Sequence, residues 1–146
     1  MITGLRTSVA AVLLAGLAMN AVPLFSHSAF AQSDSALVGT YKPKVGNGGL
    51  AELVLTDANG VLQVHGYGSC SPTLCDWGTV PGVIYSANVS STAGNSFTAS
   101  FDFGFATEIL TGTLNATGRL MTINEYTEFA PGDGRDNYHQ SNVLVK

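Results

Sequence analysis

The chain has 146 residues and a formal net charge of −4, with six basic against ten acidic side chains. That balance excludes the basic stripe with which a protein displaces counterions from nucleic acid, and no basic amphipathic segment suggests adhesion to anionic lipid. At the N-terminus Arg6 precedes an apolar run from Val9 to Met19, which breaks at Pro23, and Ala29-Phe30-Ala31 supplies a small-x-small cleavage site. This is a secretory signal pattern of bacterial type; the run is shorter than the roughly 20 residues of a spanning helix and is interrupted by Asn20 and Pro23. The expectation is a signal peptide over 1–31 and one domain over 32–146, long enough to bury a core without several disulfides. An exported protein follows, periplasmic or extracellular, with no membrane span after cleavage.

From Ala36 onward, short runs of alternating polarity are separated by Gly, Asn, Asp and Pro, and no helical period competes with them. The domain reads as all-β. In chain order the predicted strands cover residues 37–41, 50–56, 61–69, 77–85, 97–105, 107–114, 120–129 and 138–145. On 61–69, Leu62, Val64, Gly66 and Gly68 share one face while Gln63, His65 and Tyr67 share the other. Glycines at two inward positions leave space for a neighbouring ring or for a guest. On 97–105, Phe97, Ala99, Phe101, Phe103 and Phe105 point one way, and each phenylalanine buried there contributes roughly 1.5–3 kcal/mol. Asp57-Ala58-Asn59-Gly60 and Asn115-Ala116-Thr117-Gly118 are hairpin signals. Short connections leave no room for crossover helices, so sequential strands are expected to pair antiparallel. The result is an up-and-down barrel of about eight strands, with a β-sandwich as the alternative; closure removes exposed edges.

The two cysteines and the single tryptophan fall within nine consecutive positions, Cys70-Ser71-Pro72-Thr73-Leu74-Cys75-Asp76-Trp77-Gly78. In an exported protein this spacing, with Pro72 making a turn, reads as a Cys70–Cys75 disulfide stapling a corner between two strands. A zinc site would need further ligands, and beyond the leader the chain offers only His65 and His139, far apart in sequence. Asp133, Asp136 and Asn137 crowd a glycine-bearing loop without the full set of calcium-loop positions. No metal and no cofactor is expected.

Val38-Gly39-Thr40-Tyr41, opening a run of short strands, resembles the calycin-type barrels, lipocalins and avidins, in architecture; a tyrosine stands where those families usually carry tryptophan. The further tryptophans of an avidin biotin pocket are absent, since Trp77 is the only one, so biotin is not implied. The C-x-P-x-x-C-D-W-G element over 70–78, together with Gly132-Asp133-Gly134-Arg135-Asp136-Asn137-Tyr138, also resembles a group of small exported bacterial β-barrel proteins. That resemblance implies the fold and the compartment.

For catalysis the sequence shows no nucleophile-and-base motif, no phosphate-cradling glycine loop and no metal cluster, and Glu125 and Glu128 are expected on opposite faces of one strand. The expected function is non-enzymatic: a small apolar or aromatic molecule held in or at the mouth of the barrel. The candidate ligand-binding residues are Trp77, Tyr67, Tyr85, Phe101 and Phe103, with Tyr67 and Tyr85 flanking the stapled corner. The alternatives are an inhibitor or interaction module that meets an extracytoplasmic protein through loops on a solid barrel, and a small hydrolase with a triad assembled from distant segments.

Overall fold

The computed structural model describes residues 33–46 and 49–146; the predicted signal peptide lies outside the described residues. Among the described residues nine antiparallel strands form one sheet: β1 Gly39–Pro43, β2 Leu50–Ala58, β3 Val61–Gly68, β4 Cys75–Pro81, β5 Val83–Ser86, β6 Gly94–Asp102, β7 Ala106–Leu114, β8 Leu120–Phe129 and β9 Tyr138–Val145. Their order, β4-β3-β2-β1-β9-β8-β7-β6-β5, puts β4 and β5 at the two edges of the sheet. Only Gly82 separates those two strands in the chain. The sheet therefore curls until its edges meet and forms a nearly closed barrel rather than a sandwich.

The predicted strand over 77–85 is thus one stave bent at its middle. Its first half pairs with β3 and its second half with β6. Gly82 makes the bend possible, because a Cβ there would stand 2.9 Å from Val64 Cγ2 and 3.0 Å from Leu62 Cδ2. Its amide instead reaches the Leu62 carbonyl at 2.8 Å. Pro81, with no N–H to give, ends β4 just before the bend.

Alternation along the strands decides what fills the barrel. Leu62 and Val64 of β3, Phe97, Ala99 and Phe101 of β6, and Met121 and Ile123 of β8 are all buried, as the pleat requires of every second residue. The predicted strand over 97–105 ends earlier, at Asp102. There the Asp102 carboxylate accepts the Gly104 amide at 2.7 Å, and Gly104 sits at φ +77, so the chain turns back into β7. Phe103 is consequently half-buried at the strand end, and Phe105 is carried onto the turn with 53% of its surface exposed.

Antiparallel order places the connections before β2, β4, β7 and β9 at one end of the barrel. The other end receives the segment ahead of β1, where Leu37 is fully buried and its carbonyl accepts the Tyr41 hydroxyl at 2.7 Å. Leu37 therefore lies on a turn, not on the predicted first strand. Burial pushes the Tyr41 phenol up to about 12.

Candidate functional site

The stapled corner stands at the first of these ends. Cys70 and Cys75 form a disulfide with their Cα atoms 5.4 Å apart, closing an exposed turn between β3 and β4. Beyond it the ladder is irregular: Gly66 pairs with Gly78 and Tyr67 with Asp76, which leaves Trp77 as an extra residue on β4. Such a bulge re-aims a side chain. Here it turns the Trp77 ring against Gly66 and Gly68, where added Cβ atoms would each stand 2.6 Å from the indole. Of the two occupants that the sequence leaves open for those glycines, the neighbouring ring is the one present.

Trp77 meets Phe101 and Phe103 edge-on, each with ring centroids 5.7 Å apart. Phe101, Phe103 and Phe105 continue as a stack at 6.4 Å and 5.9 Å. Phe101 is 1% exposed and Phe105 is open to solvent, so the stack climbs from the core to the rim. Trp77, Phe103 and Phe105 line an open cleft of about 390 Å³, completed by the disulfide, Gly49, Gly68, Ser69 and Asp76. That volume is at the lower end of the range in which small-molecule sites fall. Below the cleft lies the buried apolar cluster that includes Leu53, Leu62, Val64 and Phe101, with Trp77 and Phe103 packed against it.

Among the predicted residues, Trp77, Phe101 and Phe103 are brought together. Tyr67 lies on the outer face, stacked on His65 at 4.4 Å. Tyr85 does not flank the corner: it pairs with Ser96 towards the opposite end of the barrel, faces outward, and its hydroxyl lies 3.3 Å from Thr98 Oγ1. The bend at Gly82 is the reason, because it carries the chain away from β3 before Tyr85 is reached.

His65 is held at both ring nitrogens, with Nε2 2.7 Å from Asp76 Oδ1 and Nδ1 2.9 Å from Thr79 Oγ1. Asp76 Oδ1 also accepts the Gly78 amide at 2.7 Å. That amide first, and His65 second, hold the Asp76 carboxyl below the usual range. The network ties β3 to β4 on both sides of the bulge. On the connection before β9, Asp133 and Arg135 form an ion pair, and the Arg135 guanidinium lies 4.0 Å from the Phe129 ring centroid and 5.3 Å from that of Phe105. Among the described residues no three His, Cys, Asp or Glu side chains converge as a metal site would need.

Sequence reasoning missed a buried polar group inside the barrel. Glu108 of β7 and Glu125 of β8 both face inward and are buried, with Thr127 and Asn142. Glu125 takes hydrogen bonds on both oxygens, from Gln140 Nε2 at 2.7 Å and from Asn142 Nδ2. Thr127 donates to Glu108 Oε2, while Glu108 Oε1 is buried without a partner. Burial pushes the Glu108 carboxyl up, and the nearby Glu125 adds to that. The signal is present in the alternation, since Glu108 occupies the same parity as Ala106 and Leu110.

No protein-family model matches the chain, and no curated protein matches it. The fold and the site define its class: a small all-β barrel with one stapled, aromatic-lined mouth.

Proposed function

We propose that this is an exported, non-enzymatic binding protein that holds a small apolar or aromatic molecule at the mouth of its barrel. The observation that carries the reading is the cleft of about 390 Å³ in which Trp77, Phe103 and Phe105 present ring surface beside the Cys70–Cys75 disulfide. The mouth is favoured over the centre because its rings are reached from solvent, whereas Phe97 and Phe101 of the core are 1% exposed. Trp77 offers a flat face to a ring, and the stapled turn holds that face in place without a guest, which limits the ordering cost of binding. Export rests on the leader pattern and on the disulfide, which suits an oxidising compartment.

Because Trp77 is the only tryptophan, its emission reports on the cleft directly. Titrating lipids, haem-like pigments and aromatic metabolites should shift or quench that emission for at least one class, and a flat response across a broad panel overturns the reading.

A second reading is favoured by exposed apolar tips around the same mouth: Val45 at 75%, Leu74 at 45% and Phe105. Clustered exposed apolar side chains mark interaction surfaces, so the loops would meet an extracytoplasmic protein. Pull-down from periplasm or medium, with Leu74→Asp as the control that abolishes capture, separates the two.

A further inference from the structure

The lining of the mouth is one-sided in charge. Among its residues are one carboxylate, Asp76, and no Lys, Arg or His, while Trp77, Phe103 and Phe105 supply the rings. The Asp76 side chain is 63% exposed, and its two hydrogen bonds among the described residues both fall on Oδ1, to the Gly78 amide and to His65 Nε2. Oδ2 keeps its share of the charge. The carboxyl is ionised at neutral pH, because that amide and that imidazole favour its charged form.

The faces of aromatic rings carry the negative end of a quadrupole and attract cations, most strongly at tryptophan. Phe105 meets one such cation within the fold: the Arg135 guanidinium lies 5.3 Å from its centroid, with Asp133 paired to it. Among the described residues no cation lies over Trp77 or Phe103. The kind of cation that suits the cleft follows from its acceptors. A primary ammonium brings three N–H donors, whereas the lining side chains offer oxygen only at Asp76 and Ser69. A methylated ammonium has no such demand and presents apolar methyl groups to the rings.

From this pairing of three rings with a lone carboxylate we infer that the guest at the mouth carries a quaternary ammonium head, seated against Trp77, Phe103 and Phe105 with Asp76 as its counter-charge. The inference rests on the proposed function and names the ligand class of that same site. Burial of the methyl groups, attraction to the ring faces and attraction to Asp76 then act together. A neutral guest of the same shape has only the first, and an anion is repelled by Asp76.

The test uses probes built on one benzyl group: benzyltrimethylammonium, its neutral isostere neopentylbenzene, and benzylamine as the primary ammonium. Each is titrated into the intact protein by calorimetry at low ionic strength. The quaternary ion should bind about tenfold tighter than the neutral isostere, with benzylamine between them. That gap should narrow by about threefold in Asp76→Asn, which keeps an acceptor for the Gly78 amide, and by a similar factor in Phe105→Leu, which keeps apolar bulk and loses the ring. Neutral binding as tight as that of the quaternary ion, benzylamine binding as tight as the quaternary ion, or a gap that survives either substitution overturns the inference and leaves the mouth site standing. Failure of all three probes to bind also overturns it, and a flat Trp77 response to the wider panel overturns the site itself. The wild-type ranking decides the matter even where a variant does not fold.

Discussion

The Trp77 indole occupies the space that a side chain at Gly66 would need: a Cβ there would lie 2.6 Å from Trp77 Cε3. Gly68 stands in the same relation to the indole nitrogen. Gly66→Ala or Gly68→Ala should therefore drive the ring outward and destabilise the fold by about 1–3 kcal/mol, the usual range for overpacking. Denaturant unfolding measures the loss, and a red shift of Trp77 emission reports the displacement. A variant with wild-type emission and stability would mean that the ring does not pack against β3.

Loss of the staple should be mild. Cys70→Ser or Cys75→Ser opens a loop of five-residue separation, for which the chain-entropy model gives about 2 kcal/mol of stabilisation. The barrel should still fold, with a lower Tm and a cleft less able to hold a guest. Alkylation before and after reduction checks that both thiols are protected in the wild type.

Glu108 should impose a pH dependence. Its folded carboxyl titrates above the ordinary value of 4.5, so the unfolded chain releases this proton first as pH rises. Glu108 then contributes most to stability below that value, and the contribution is lost as pH climbs through the folded titration. Glu108→Gln removes the slope, so the variant should gain on the wild type between acid and neutral pH. Urea titrations at stepped pH compare the two; parallel curves would show that Glu108 ionises as freely in the fold as outside it.

Tyr41 behaves the same way at the alkaline end. Its phenol is pushed from 10.0 up to about 12, so the unfolded chain ionises first and stability should fall as pH rises from 10 towards 12. Tyr41→Phe should flatten that fall. At neutral pH the variant should lose about 1–3 kcal/mol, because the buried Leu37 carbonyl loses its donor. Thermal unfolding at neutral and alkaline pH reads both effects.

The inward set on β3, Leu62, Val64, Gly66 and Gly68, is legible in the sequence alone, as are the two hairpins, the corner disulfide and the meander. Each depends on a period of two or on a turn a few residues long, and such features are local. Trp77 is legible as a packing residue and unreadable in its aim, since the parity of β4 changes at a bulge that only its pairing with Gly66 and Tyr67 reveals. Tyr85 follows Trp77 closely in the chain, which points to the corner, and the bend at Gly82 sends it elsewhere.

By itself the amino-acid sequence determined that this chain folds as antiparallel strands with one apolar face, because alternation and turn chemistry act between near neighbours. The tertiary structure decided how the curled sheet shuts across Gly82, that the indole fills the gap over two glycines, and that Glu108 ends up buried with one oxygen unpartnered. Those outcomes depend on register between strands far apart in the chain, and register is set only when all the staves pack at once.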